Sequence, residues 1–215
     1  MERKPKRRTR ERILETSLRL FNDFGEPNVT TTLIADELDI SPGNLYYHFR
    51  SKDEIVNTIF GAFEREIDGV LEAPPARQAN VEDMWLFLHV VFESIWRYRF
   101  LYRDPSDLLS RNRLLEIHFK RLLEQKVKTA SALCEGLAAG GELPADPREA
   151  AALATNMVVV ATYWLSYEYA RNPRNMQEGE IVARGAYHVM ALVAPFLSGQ
   201  SRALFEHLAQ AYLQT

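Results

Sequence analysis

An all-α protein is the fold class that this sequence predicts, and three observations lead to it. Apolar residues recur three and four positions apart along most of the 215 residues, which is the period of a helix with one buried face. Capping residues stand at the predicted helix starts, and glycine or proline stands at several of the predicted ends. The β-branched run Val158–Val160 lies inside a helical pattern, so it predicts no strand.

The first predicted helix runs from Thr9 to a natural C-terminal cap at Gly25. It follows a basic arm, residues 1–12, that contains seven Lys or Arg residues and two Glu residues. We expect residues 1–8 to lack regular structure, because they are highly charged and show no apolar periodicity. A positive arm in this position suits a protein that presents one end to nucleic acid.

A pair of short helices joined by a tight turn is predicted next. Thr30 or Thr31 caps the first helix, because a threonine hydroxyl accepts hydrogen bonds from the free N–H groups of a first turn. Asp39 stands at the turn, where the backbone can need a positive φ that Asp tolerates. Ser41 and Pro42 then form a second helix start. This order is the helix-turn-helix pattern of DNA-binding proteins.

The second of these helices carries side chains suited to nucleic acid. Leu45 and Phe49 are four positions apart and are predicted to face inward. Tyr46, Tyr47 and His48 are consecutive, so at least one of them must point outward. Asn can pair with a base edge, whereas Tyr, His and Lys can contact phosphates. The predicted DNA-binding residues are Thr31, Thr32, Ser41, Pro42, Gly43, Asn44, Tyr46, Tyr47, His48 and Lys52.

This segment resembles the DNA-binding region of the TetR/AcrR family of bacterial transcriptional regulators. The resemblance covers residues 9–60, and Asp39 departs from it, because the family usually has Gly there. The matching features are the threonines that open the first helix, Ile34-Ala35, Ile40-Ser41, Gly43, Leu45-Tyr46-Tyr47-His48-Phe49, Lys52 and Glu54. The resemblance implies a regulator that dimerises and binds an effector inside a larger C-terminal domain.

The remainder of the chain predicts further helices. A capping box, Ser51-x-x-Glu54, opens a helix that stops before Pro74-Pro75, and 73–81 is the predicted boundary loop. The sequence therefore predicts an N-terminal domain, 1–52, and a C-terminal domain, 53–215. The later helices are predicted at 82–103, 105–111, 113–139, 147–171, 178–197 and 201–213. Helix 82–103 is apolar on almost every side, which is typical of a central buried helix.

Two functions are predicted for the C-terminal domain. An apolar cavity with a few polar groups, bounded by helices 82–103, 113–139 and 147–171, would hold the effector, although the same bulky residues could fill the space. Its predicted binding residues are His89, Phe92, Trp96, His118, Thr162 and Tyr163. The resemblance implies that helices 147–171 and 178–197 form the dimer interface, although their small residues could instead face the core of the single chain. Small residues that would allow close approach there are Ala150, Ala151, Ala154, Ala161, Ala183, Ala186 and Ala191.

Composition limits the other classes of function. The formal net charge is −3, and it divides into +2 for residues 1–52 and −5 for the rest. One cysteine, Cys134, excludes an internal disulfide and fits a cytoplasmic protein, most simply as a small buried apolar residue. We expect no membrane-spanning segment, because no apolar run approaches about 18 residues. The five histidines form no ligand-spaced pair and no catalytic motif is met, so we expect neither metal, cofactor nor enzymatic activity.

The sequence therefore predicts a ligand-responsive DNA-binding transcriptional regulator. Its partners would be a double-stranded DNA operator, a second copy of the chain and a small apolar effector that releases the repressor from its operator, with no membrane partner. An architectural DNA-binding protein without an effector is one alternative. An intracellular small-molecule carrier or enzyme is the other. The pattern of residues does not distinguish repression from activation, and it identifies neither effector nor operator.

Overall fold

The computed structural model describes residues 4–72, 80–143, 146–174 and 176–213. These residues form α-helices joined by turns and two short 3-10 segments, without a strand, so the predicted all-α class is confirmed. The helices are α1 (Lys4–Phe24), α2 (Thr31–Glu37), α3 (Pro42–His48), α4 (Lys52–Leu71), α5 (Val81–Arg97), α6 (Phe100–Arg103), α7 (Pro105–Arg111), α8 (Arg113–Ala139), α9 (Pro147–Arg171), α10 (Glu178–Val193) and α11 (Gly199–Leu213).

Helix α1 corrects one expectation about the basic arm. It begins at Lys4, so the prediction that residues 1–8 lack regular structure is wrong for residues 4–8, while residues 1–3 lie outside the described part. Lys and Arg are good helix formers. Pro5 is tolerated because it stands in the first turn, where its missing N–H would have no partner in the helix.

The caps of the helix-turn-helix agree with the sequence. The hydroxyl of Thr30 accepts a hydrogen bond from the N–H of Leu33 at 3.1 Å, and the hydroxyl of Ser41 accepts one from the N–H of Asn44 at 3.2 Å. Asp39 has a φ of 54°, which confirms the left-handed turn. The later predicted boundaries hold for α7, α8 and α9, including the capping box at the start of α9.

The single helix predicted over 82–103 is wrong, because the chain turns between α5 and α6. In a continuous helix the N–H of Phe100 would bond to the carbonyl of Trp96. Instead it donates to the side-chain oxygen of Asn22 at 3.1 Å. Helix α5 is also not buried on every side, because Leu86 and Val90 are exposed along with its charged residues. Only one side of α5 is therefore buried.

The helices group into two compact units. Unit 1 contains Met1–Arg65 with Tyr98–Ile117, and unit 2 contains Glu66–Arg97 with His118–Thr215. Helices α4 and α8 each supply residues to both units. The predicted boundary between residues 52 and 53 stays a prediction, and residues 73–79 of the predicted boundary loop lie outside the described part.

Unit 2 is built around the packing of α10 against α9 and α5. The indole N–H of Trp164 donates to the carbonyl of Ile181 at 3.0 Å. The buried carboxylate of Glu168 pairs with Arg171 at 3.0 Å and with Arg184 at 2.9 Å. These contacts fix α10 on α9, because a buried carboxylate is stable only with partners that replace its lost hydration.

Helix α9 corrects the expectation that no segment could cross a membrane. It is the one helix in the described residues that is long and apolar enough to do so by length and composition. Nearly half of its apolar stretch is buried in unit 2, and its C-terminal turns contain the ion-paired Glu168. Core helices of soluble proteins share this composition, so the feature is weak evidence for a membrane.

Candidate DNA-binding surface and effector cavity

The core of unit 1 holds α2 and α3 in a fixed relation. Ile34, Ala35 and Leu45 are fully buried, so each helix turns its apolar side inward. Phe49, directly after α3, is also fully buried, which confirms the predicted inward positions. The turn is closed by the N–H of Ile40, which donates to the carbonyl of Ala35 at 3.0 Å. The polar sides of both short helices therefore remain on the surface.

The predicted DNA-binding side chains lie on this surface. Tyr46 is half exposed and Tyr47 is 67% exposed, whereas His48 is partly covered and packs edge-on against the Tyr47 ring. The hydroxyls of Thr31 and Tyr46 lie 3.0 Å apart and share a hydrogen bond. This bond connects the start of α2 to the middle of α3 and restricts the Tyr46 ring. The structure thus brings residues from both short helices into one patch.

The start of α3 offers an open approach to its backbone. Pro42, Gly43 and Asn44 are exposed, as are Thr32 and Ser41 nearby. A Cβ on Gly43 would meet only the Ser41 hydroxyl oxygen, at 3.9 Å, so the fold itself has room for a larger residue there. Free N–H groups in a first helical turn attract anions. The absence of a side chain at Gly43 suits close approach by a phosphate.

Lys52 has a partner within the protein. Its ammonium lies 2.8 Å from the carboxylate of Glu26 and also donates to the Glu26 carbonyl at 3.0 Å. Glu26 is 4% exposed and receives a second cation, Arg111, at 3.0 Å. An ammonium has three donors, and two of those of Lys52 are directed at Glu26. Its predicted phosphate contact stays a prediction, and its visible role is to fasten α4 to the loop before α2.

The basic residues of α1 reach the same end of unit 1. The guanidinium of Arg10 lies 4.7 Å from the centre of the Phe49 ring, a cation–π contact. Arg12 donates to the carbonyl of Leu38 at 3.4 Å. Both side chains are exposed, so they add positive charge beside the turn of the helix-turn-helix. Sequence reasoning assigned this charge to a basic arm but did not place it at the turn.

A small apolar cavity lies in unit 2, with a volume of about 30 Å³. It is formed by α5, α8 and α9, the three helices that the sequence nominated, and by the last residue of α4, Leu71. The other lining residues are Phe87, Leu88, Val91, Lys126, Ala130, Leu133, Met157, Val158 and Ala161. Its volume holds about one water molecule, so an effector must displace side chains to enter.

None of the six predicted ligand-binding residues lines this cavity. Phe92 packs against Gly185, whose hypothetical Cβ would lie 2.5 Å from the Phe92 ring. Tyr163 is half exposed on α9, and the His89 ring stacks on Trp85. Trp96 and Thr162 are buried, and His118 is partly covered. Helical spacing predicted the three helices that line this cavity, but it could not choose which apolar side of each helix faces it.

Among the cavity residues that were not predicted, Lys126 is the one with an ionisable side chain. It lies in the middle of α8 and is 4% exposed, and burial lowers the pKa of its ammonium to about 7. The sequence contains a signal for it, because Leu122, Lys126 and Ala130 share one helix face at four-residue spacing. Leu122 and Ala130 are both buried. A lysine at helical spacing between two buried apolar residues therefore indicates a buried amine at this position.

A larger cleft of about 150 Å³ lies in unit 1, beside the loop that contains Glu26. Its lining includes Arg103, Arg111, Asp104 and Asp107. The charges in it already have partners: Arg111 pairs with both Glu26 and Asp107. These partners raise the pKa of the Arg111 guanidinium further above its usual range. The cleft is therefore lined by an ion-pair network.

Helix α9 also presents an apolar face outward. Val159, Tyr163 and Tyr167 are four positions apart and about half exposed, so they form one stripe along the helix. Among the small residues proposed for the interface, Ala154, Ala161 and Ala186 are buried within the chain. Ala151 is exposed, and Ala150, Ala183 and Ala191 are partly covered. The first three thus serve the internal core, while the other four are accessible on α9 and α10.

Two protein-family models match the chain. One, described as bacterial regulatory proteins of the tetR family, covers residues 13–59. The other, described as a bacterial transcriptional repressor, covers residues 62–205. The first match contains α2 and α3, and the second contains the apolar cavity together with α9 and α10.

Similar proteins agree with these models. The crystal structure of a TetR-family transcriptional regulator from Marinobacter aquaeolei VT8 is 35% identical, with a TM-score of 0.86, over 95% of this chain and 98% of that chain. The transcriptional repressor KstR2 of Mycolicibacterium smegmatis is 25% identical over 63% of this chain and 68% of its own length. The regulator TcmR of Streptomyces glaucescens is 31% identical, but the match spans only 34% of that protein's length and 36% of this chain.

The helix-turn-helix and these matches lead to one assignment and confirm the predicted class, a ligand-responsive DNA-binding transcriptional regulator. The chain belongs to the TetR family of bacterial transcriptional regulators, which are ligand-responsive DNA-binding repressors.

Proposed function

We propose that the chain is a homodimeric, cytoplasmic repressor whose α3 enters the major groove of an operator. The observation that carries this proposal is the exposed polar and aromatic patch on α2 and α3. Asn44 and Tyr46 would read bases, and Thr31, Tyr47 and His48 would hold phosphates. The shared hydrogen bond between Thr31 and Tyr46 supports this division, because it orients Tyr46 before DNA arrives.

The test uses a duplex selected by the purified protein from a random-sequence library. Asn44→Ala should reduce the discrimination between the selected duplex and its single-base variants, because a lost base contact costs about 1–3 kcal/mol at that position. Lys52→Ala serves as the comparison. If Lys52 contacts phosphate, the variant should bind all sequences more weakly with a smaller salt dependence. Equal loss on every duplex for Asn44→Ala would contradict base readout.

A two-fold dimer is part of the proposal because one helix-turn-helix reads few bases. The exposed stripe Val159, Tyr163 and Tyr167 on α9, with accessible small residues on α10, supports this face as the interface. Light scattering should give twice the 24.7 kDa chain mass. In the complex, the two recognition helices should lie about 34–36 Å apart, one turn of DNA. A monomer at micromolar concentration that still binds its operator would contradict the dimer.

A small apolar effector would occupy the cavity of unit 2 and release the operator. Leu71, the last residue of α4, lines the cavity, while Lys52 at the start of the same helix bonds to the loop before α2. Movement of α4 could therefore carry a change from the cavity to unit 1. The effector must prefer the conformation that does not bind DNA, since equal affinity for both states shifts nothing. A coupling of about 1–3 kcal/mol is typical.

Effectors are found by thermal-shift screening of apolar metabolites, because a ligand that binds the folded form raises its melting temperature. Operator affinity is then measured with and without each hit, for wild type and for Ala161→Trp. Ala161 lines the cavity, so the indole should block ligand release of DNA while operator affinity stays intact. A variant that still responds fully would place the effector elsewhere. The absence of any response in the wild type would favour an architectural role.

A further inference from the structure

The inner side of α1 ends in a basic residue where this helix contacts the helix-turn-helix. Ile13, Ser17 and Leu20 are buried, and their spacing places them on one face of the helix. One turn before Ile13 this face carries Arg10, which is exposed. The central carbon of its guanidinium lies 4.7 Å from the centre of the Phe49 ring. The face that packs α1 into unit 1 therefore ends in a cation next to the end of α3.

The contact with Phe49 holds Arg10 without using its hydrogen-bond donors. Phe49 is fully buried, so it gives the guanidinium a fixed surface, and the attraction is between the cation and the face of the ring. A guanidinium has five N–H donors in one plane. Arg19, later in the same helix, pairs with Glu37. Arg10 forms no ion pair with the residues that the structure describes, so its charge and its donors are available to a ligand.

We propose that Arg10, positioned by Phe49, binds a phosphate of the operator backbone. This inference rests on the proposed entry of α3 into the operator, and it adds α1 as a further DNA-binding element. Tyr47 and His48, which are proposed to hold phosphates, directly precede Phe49 in the chain. The exposed guanidinium of Arg10 therefore extends that phosphate-binding patch beyond the end of α3.

Charge and shape favour a phosphate at Arg10. The planar guanidinium presents paired N–H groups that match two oxygens of a phosphate. Residues 1–12 contain seven Lys or Arg residues and two Glu residues, so this end of the chain carries a positive charge that attracts a polyanion. A phosphate contact releases counterions from DNA. Arg10 would therefore contribute to affinity and to its salt dependence, and not to the choice of base sequence.

The test measures how the operator affinity of the full-length protein depends on salt, by fluorescence anisotropy between about 50 and 200 mM KCl. Arg10→Met removes the charge, while its unbranched side chain can still cover Phe49. This variant should reduce the slope of log affinity against log salt by about 0.9 for each chain bound, the value for one phosphate contact. Arg10→Gln, a second neutral variant, should show the same reduction, whereas Arg10→Lys keeps the charge and should keep most of the slope.

The matched control is Arg19→Met, which removes the same charge from the same helix. Arg19 is balanced by Glu37, so this variant should keep the slope of the wild type. A second readout is base discrimination. Arg10→Met should weaken binding about equally on the selected duplex and on its single-base variants, because a phosphate contact carries no sequence information.

The outcomes separate this inference from the proposed function. If Arg10→Met and Arg10→Gln keep the wild-type slope, the phosphate contact is overturned, even where binding is weaker, because Arg10 then only packs on Phe49. An equal reduction in Arg19→Met would also overturn it, since any positive charge on α1 would then suffice. In both cases the base discrimination that depends on Asn44 still tests α3 by itself. If the wild type selects no duplex, the inference and the proposed function both fail.

Discussion

Replacing Lys126 by Met should stabilise the protein, and the gain should depend on pH. Burial lowers the pKa of Lys126 from its usual 10.5 to about 7. Between these two pH values the unfolded chain binds a proton at this site that the folded chain does not. Stability therefore rises with pH in this window. Below pH 7 both states are protonated and the full cost of burial is present, whereas above pH 10.5 both are neutral and the cost is gone.

The magnitude follows from the size of the pKa change. Each pKa unit corresponds to about 1.4 kcal/mol, so the lowered pKa represents an upper limit of about 5 kcal/mol. The free energy of unfolding of Lys126→Met should exceed that of wild type by up to this amount at pH 6.5, and by no more than about 2 kcal/mol at pH 9. Methionine matches the unbranched shape of lysine, so the variant should introduce little packing change.

Urea unfolding, monitored by circular dichroism, measures the difference in free energy of unfolding between Lys126→Met and wild type at pH 6.5, 8 and 9. The protein concentration is held fixed, because the stability of a dimer depends on concentration. Lys128→Met is the control. This exposed residue should change the free energy of unfolding by no more than about 0.5 kcal/mol at any pH. A difference between Lys126→Met and wild type that does not change with pH would refute the reasoning. So would a variant that is less stable than wild type at pH 6.5.

Three further predictions follow from particular contacts. Gly185→Ala should lower the free energy of unfolding, measured in urea, by about 1–3 kcal/mol, because the alanine Cβ would lie 2.5 Å from the Phe92 ring. An unchanged urea midpoint would contradict this contact. Gly43→Ala should leave the melting temperature unchanged or slightly higher, since the fold has room for the added methyl group. The same variant should bind the operator more weakly in an anisotropy titration. Equal affinity would mean that DNA does not approach Gly43. Cys134 should react with a thiol reagent at pH 8 far more slowly in the folded than in the urea-unfolded protein. The reason is that Cys134 is fully buried, and burial raises the pKa of its thiol to about 11. Similar reaction rates in the two states would refute this prediction.

Local rules were sufficient for the helix-turn-helix. Thr30 and Ser41 each had a hydroxyl to place on a free backbone N–H, and Asp39 could adopt the left-handed turn between them. Such features act over three or four residues, so the sequence determines them without tertiary context. Helical spacing along α3 likewise predicted that Leu45 faces inward and that at least one of Tyr46, Tyr47 and His48 points outward, and the structure agrees.

Tertiary structure decided what depends on contacts distant in the sequence. The break between α5 and α6 occurs where Asn22 takes the N–H of Phe100, a partner 78 residues away. Glu26 binds Lys52 and Arg111 from separate parts of the chain, so the role of Lys52 could not be read from its place after the recognition helix.

The sequence by itself determined the fold class, the helix-turn-helix and the presence of the three helices around the cavity, because each follows from periodicity and capping within one segment. Only the tertiary structure decided which side of each helix lines the cavity. Apolar spacing shows that a face is buried, but burial against a neighbouring helix and burial against an empty space give the same pattern. Lys126 lines the cavity, whereas Phe92 and Tyr163 do not. The relative rotation of the packed helices, set by contacts such as that of Gly185 with Phe92, selects the side of each helix that faces the cavity.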